Sequence, residues 1–174
     1  FEFPTMHFNW EIVIATALLL ISSICGFTAW LLKTIVTTTT TWRNSIKGKA
    51  WYLIPVICGL VVALVSYKSG INSFGSGMFV IQESLKSSGT LITYQDSLGR
   101  FINIIATTIA GCAGGLLLPA LSLGAGIGSI GSSFLPLEDS RIFIATGMAA
   151  FLGAMLNAPL TAAVLVLEVT NQRE

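Results

Sequence analysis

Charge is the scarcest property of this chain: Asp, Glu, Lys and Arg together make up 10% of its 174 residues, against about 25% in an ordinary soluble domain. With a hydrophobic share of 53% and a mean hydropathy of +0.82, that scarcity excludes a water-soluble globular fold and defines an integral membrane protein. The formal net charge is +1 and the basic residues form no arginine-rich stripe, so a nucleic-acid backbone has nothing to run along. Histidine occurs once, His7, in an aromatic N-terminal segment without a partner ligand, which argues against a metal site. The three cysteines, Cys25, Cys58 and Cys112, sit in apolar stretches without CxxC spacing. They read as buried small hydrophobes, not as a disulfide framework or a zinc site. Neither HExxH nor GxSxG occurs, and no acidic pair falls on one membrane helix, so an intramembrane enzyme lacks its machinery. No cofactor is expected.

What the chain has in place of charge is long uncharged intervals. Residues 12–32 carry no charge over 21 positions, enough to cross a hydrocarbon core of about 30 Å. Residues 50–67 give 18 more, with Pro55 near the start. Between them Lys33, Arg43, Lys47 and Lys49 collect without an acidic residue, a connector that prefers the cytoplasm. The β-branched threonine run 37–41 within it either extends the first helix or leaves it, with a helix end favoured over a ligand site. Residues 69–96 turn polar and glycine-punctuated around a short apolar patch at 78–81, which fits a short, partly inserted helix.

The longest uncharged interval covers 37 residues, 101–137. A helix starting near Ser97 is broken by Gly111, Gly114 and Gly115, and a second runs from Leu116 to about Ser133. Gly124, Gly128 and Gly131 lie three and four apart on it, a face on which another helix can approach closely. Glu138, Asp139 and Arg141 mark a return to the water interface. A helix over 142–155 follows, then Asn157-Ala158-Pro159 and a last helix over 160–169, with Pro159 suited to its first position. Residues 1–10 have neither a basic start nor a uniform apolar run, so no cleavable signal is expected and the chain reads as beginning within a protein.

The candidate site is Gly115-Leu116-Leu117-Leu118-Pro119. Glycines let the backbone turn and approach a ligand closely, and Pro119 in the first helical turn forgoes an N–H that has no intrahelical partner there. The first amides of such a helix, with its dipole behind them, are suited to hold a dehydrated anion in a low-dielectric setting. The bland alternative is a helix-packing corner with Pro119 as a kink. Glu168 reads as a structural acceptor near a helix end. Ser122 and Thr161 read as hydroxyls bonded to their own backbone, Asn103 as a bond to a neighbouring helix, and Glu11 as an interfacial charge.

These residues resemble the CLC family of chloride channels and chloride/proton antiporters. Gly115-Leu116-Leu117-Leu118-Pro119 is similar to the family's GxFxP signature, and residues 120–124 continue as its helix N does. Residues 144–150, Asn157-Ala158-Pro159-Leu160-Thr161 and Val166-Leu167-Glu168-Val169-Thr170 are similar to its helices O and P, with their APLT and LExT elements. The strong likeness covers about residues 111–171, and the weaker segments before it follow the order of helices J to M. The resemblance implies an all-α membrane bundle of short, tilted and interrupted helices, the second half of an inverted repeat. It implies that residues 1–174 are an incomplete transmembrane domain lacking the first repeat and the last helices. It assigns anion coordination to the N–H groups of Leu116, Leu117 and Leu118, shaped by Gly115 and Pro119. Leu117 stands where the family usually has Phe. The family's gating and relay glutamates and its coordinating serine and tyrosine fall on segments outside this chain, and Tyr52, Tyr67 and Tyr94 precede the signature. The expected partners are chloride or another small anion, protons for an antiporter, the lipid bilayer and a second copy of the chain, in a bacterial cytoplasmic membrane. The competing readings are a fluoride-selective transporter of the same fold and a non-transporting membrane scaffold.

Overall fold

The structure is a computed structural model and describes residues 10–45, 50–69, 75, 77, 78, 81, 93–112, 115–133 and 140–171. Its elements are helices throughout: α1 (Trp10–Ser45), α2 (Ala50–Ser69), α3 (Tyr94–Ala110), α4 (Leu117–Ser133), α5 (Ser140–Leu156) and α6 (Pro159–Asn171). Two of them, α1 and α2, are long and apolar enough to cross a membrane. The 36 residues of α1 extend about 54 Å and the 17 of α4 or α5 only about 26 Å, at 1.5 Å per residue. The uneven, short helices expected from the sequence are therefore present.

Packing centres on α5, whose buried face carries Phe143, Ile144, Met148, Phe151 and Leu152. α4 covers it most extensively, α1 lies against it next, and α6 closes the other side. The core continues through Cys25, Ala29 and Leu32 of α1, Leu121 and Ala125 of α4, and Ala162 and Val166 of α6. α2 packs on α3 and shows Leu53, Val56, Ile57, Leu60 and Leu64 on its surface, an apolar exterior that suits lipid as the surrounding solvent.

The glycine face of α4 is what lets it lie so close to α5. A Cβ on Gly124 would stand 2.8 Å from the Met148 Cα, and one on Gly128 would stand 2.9 Å from the Ile144 Cα. Gly147 answers from α5 against Gly124 and Gly128. Gly131 faces Ile21 of α1, so the expected close-approach face serves two neighbours.

Both sharp corners follow from local chemistry. Gly111 takes φ 82° after α3, with its N–H on the Thr107 and Thr108 carbonyls, and the Cys112 N–H reaches the Thr107 oxygen at 3.2 Å. Asn157 does the same after α5 at φ 55°, with the Ala158 N–H on the Gly153 oxygen at 3.2 Å. Both are left-handed caps that satisfy the last helical carbonyls. Pro159 is the first residue of α6, as its spacing indicates. The Asn157 amide, oriented by its surroundings, accepts from Lys33 Nζ at 2.9 Å and donates to the Ala154 oxygen at 3.3 Å, tying this corner to α1.

One open alternative is decided and two expectations need correction. The threonine run does not end α1: Thr37, Thr39, Thr40 and Thr41 return their hydroxyls to carbonyls three or four residues back, and the helix continues to Ser45. α3 begins at Tyr94, three residues before Ser97, because Asp96 in its first turn suits the positive helix end. Cys112 is exposed, whereas Cys25 and Cys58 are buried and free as read. His7, Gly114, Lys47, Lys49, Pro136, Glu138, Asp139 and most of 69–96 lie outside the described residues, as does the side chain of Glu11.

Candidate anion site at the start of helix α4

The start of α4 is fixed by its first hydrogen bond, from the Ala120 N–H to the Leu116 oxygen at 3.0 Å. Leu116 is thus the cap, and the N–H groups of Leu116, Leu117 and Leu118 precede any intrahelical acceptor. Among the described residues, none of them has a hydrogen-bond partner. Pro119 follows without an N–H, so the row of donors stops there. Ala120 and Leu121 are fully buried and anchor the turn, while Leu116 and Leu118 pack against the core.

Gly115 stands exposed before this turn, and a Cβ there would meet nothing within 4 Å. Leu117 is 39% exposed, so its side chain borders the open side and not the core. The carbonyls of the first turn are occupied from within, since Ser122 Oγ donates to the Pro119 oxygen at 2.8 Å. That is the back-bonding expected of Ser122. Among the described residues no group of His, Cys, Asp and Glu is arranged to hold a metal ion, and the donors assembled here are backbone amides.

A cavity of about 260 Å³ adjoins this helix start, with Pro119 in its wall and Arg100, Asn103 and Thr107 of α3, Gly75 and Val62 around it. Asn103 Nδ2 donates to Ser66 Oγ of α2 at 3.2 Å, the interhelical bond read from sequence. Arg100, at 5% exposure, donates to the Gly75 oxygen at 3.3 Å. A Cβ on Gly77, whose φ is 77°, would run into this guanidinium and the Ser122 side chain. Arg100 carries no motif of its own in the sequence, where it is simply the last charge before the uncharged run 101–137. A lone arginine between an apolar run and a glycine-rich segment was the available signal.

Thr161 and Glu168 are both exposed on α6. Among the described residues Glu168 makes no ion pair or hydrogen bond, so the structural-acceptor role has no partner there.

Short interrupted helices, interlocked small-residue faces and an apolar exterior define an all-α, multi-helix membrane protein. The family model for voltage gated chloride channels matches residues 1–174, and the chain belongs to that family, the CLC proteins. It is 30% identical over 132 residues to the H(+)/Cl(-) exchange transporter ClcA of Klebsiella pneumoniae strain 342, covering 71% of this chain and 27% of the relative. It is 27% identical over 175 residues to the voltage-gated ClC-type chloride channel ClcB of Citrobacter koseri, covering 94% of this chain and 39% of the relative. The chain thus spans less than half the length of these relatives. No solved structure matches.

Proposed function

We propose that this chain forms part of a CLC-type pathway that moves chloride across a membrane, with the anion held by the N–H groups of Leu116, Leu117 and Leu118 at the start of α4. The observation that carries the reading is the helix start itself. Three consecutive amide donors precede the first intrahelical bond at Ala120, a Cβ on Gly115 would meet nothing within 4 Å, and among the described residues no group of acidic side chains is gathered to hold a cation instead. Backbone donors with a helix dipole behind them recognise charge and size and need no cofactor. The apolar side chain of Leu117 borders the ion and tunes which anion is preferred.

On this reading residues 1–174 are most of the second of two inverted repeats. They act with the rest of a longer polypeptide, as a homodimer, in a bacterial cytoplasmic membrane. The relatives carry the names of an exchanger and of a channel, and proton movement separates these two activities.

The test is efflux from liposomes holding the complete native polypeptide, followed with a chloride electrode and external pH together. Chloride release is expected, and opposed proton movement makes the protein an exchanger. Fluoride release without chloride assigns the alternative anion. A folded protein that releases neither overturns the transport reading.

A further inference from the structure

Among the described residues of α2, Cys58 alone is buried, and the register of α2 on α3 shows what stands opposite it. Asn103 Nδ2 of α3 bonds Ser66 Oγ of α2 at 3.2 Å. One turn back on α2 and one turn on along α3, Val62 and Thr107 line the same cavity. The two helices therefore run antiparallel, and a further turn in the same sense brings Cys58 opposite the corner at Gly111 and Cys112. Residues four apart share a helix face, so Cys58, Val62 and Ser66 all look toward α3. The two thiols are near enough to feel each other's charge.

The corner gives the pair unequal access and some freedom. Cys112 is exposed, whereas Cys58 is 9% exposed. Gly111, at φ 82°, ends α3, so Cys112 lies outside the helix and is held to it by its own N–H, on the Thr107 oxygen at 3.2 Å. A shift of Cys112 costs that bond and leaves the α3 ladder intact. Packed helix axes lie about 8–10 Å apart, and residues facing one another across such a seam can reach the Cα separation of about 4.4–6.8 Å that a disulfide requires. In sequence Cys112 stands four positions before Leu116, so whatever fixes it also restrains the approach to the α4 amides.

We propose that Cys58 and Cys112 are a redox pair, closed to a disulfide by a peroxide and reopened by a thiol reductant, and that closure slows ion passage by pinning the segment before Leu116 to α2. The effect on flux rests on the anion-pathway reading above, and formation of the bond does not. The accessible Cys112 reacts first, as the thiolate. Its sulfur attacks one oxygen of hydrogen peroxide, the O–O bond breaks, and the sulfur is oxidised to a sulfenic acid while the other oxygen leaves as hydroxide and takes up the thiol's proton to become water. The Cys58 sulfur then attacks the Cys112 sulfur, the S–O bond breaks, the hydroxyl leaves as water with the Cys58 proton, and the S–S bond forms. Two electrons pass from the thiols to the peroxide.

The test treats the complete native polypeptide in liposomes with hydrogen peroxide, digests it without reductant and searches by mass spectrometry for a peptide containing Cys58 joined to one containing Cys112, while chloride efflux is followed on parallel samples. The expected result is a joined pair that dithiothreitol separates, with efflux falling several-fold on oxidation and recovering on reduction. Cys58→Ser and Cys112→Ser each give no joined peptide and keep their efflux in peroxide. Cys112 carried on to sulfinic acid with no joined peptide overturns the pair. A joined pair with unchanged efflux overturns the control of passage and leaves the bond standing. Reduced protein that releases no chloride removes the pathway reading and the control with it, and the peptide map still decides the bond. Should Cys58→Ser fail to fold, Cys112→Ser, at an exposed position, serves as the comparison.

Discussion

Gly128→Ala is the most direct probe of how α4 is held. The new methyl carbon would stand 2.9 Å from both the Ile144 Cα and the Phe143 carbonyl carbon and closer still to the Phe143 oxygen, all backbone atoms with no rotamer by which to yield. Relief requires α4 and α5 to separate, and overpacking of this kind costs about 1–3 kcal/mol. Against it works the higher helix propensity of alanine, worth about 1 kcal/mol at most. Gly26→Ala on α1 supplies the reference, because a Cβ there meets nothing within 4 Å and only the propensity gain remains. Subtracting one variant from the other isolates the packing cost, which should leave Gly128→Ala about 1–3 kcal/mol less stable than Gly26→Ala. At about 2–4 °C per kcal/mol for a chain of this size, heating the detergent-solubilised complete polypeptide and measuring what stays monodisperse resolves the difference. Equal robustness of the two variants would refute the backbone-on-backbone contact.

Leu117→Ala should fold normally, since a side chain 39% exposed leaves little cavity behind, and should keep chloride flux while changing the chloride-to-nitrate preference in liposomes. Gly115→Val meets no protein atom with its Cβ, so it should fold as well as the native protein yet lose flux by filling the space before the amides; native flux would count against the site. Asn103→Leu removes the bond to the half-buried Ser66 hydroxyl, a loss of about 0.5–1.5 kcal/mol for one hydrogen bond, readable as a lower melting temperature that Ser66→Ala in the same chain partly restores. Gly111→Ala has to place a methyl at φ 82° against the Arg43 guanidinium, and should lower stability by about 1–3 kcal/mol.

Much of the helix order is written in residues whose local chemistry leaves few choices. Asn157-Ala158-Pro159 combines a side chain tolerant of left-handed backbone with a proline fit for a helix start, and the corner between α5 and α6 falls there. The glycine spacing on α4 likewise announces a close neighbour, though nothing in it says that Gly131 would meet α1 and the other two α5. The threonine run was undecided in the sequence because β-branched residues weigh against helix in water. In an apolar setting their hydroxyls fold back onto the helix carbonyls and the penalty fades. Leu116 to Pro119 were legible as a helix start because glycine, proline and position agree. The cavity was not legible, since Gly75, Arg100 and Pro119 come from three separated segments that meet only after folding.

The interlocked faces of α4 and α5 also have a mechanical meaning. Where side chains separate two helices, rotamer changes absorb small displacements, but Gly124, Gly128 and Gly147 leave backbone against backbone, which transmits strain without such slack. The two helices run antiparallel, Gly124 against Gly147 and Gly128 against Phe143, so the start of α4 at Leu117 lies toward the C-terminal end of α5. That end is Asn157, whose amide is held by Lys33 of α1. The proposed anion position and the Lys33 tether therefore belong to the same end of one rigid pair, and loosening the Lys33 grip frees that end to move.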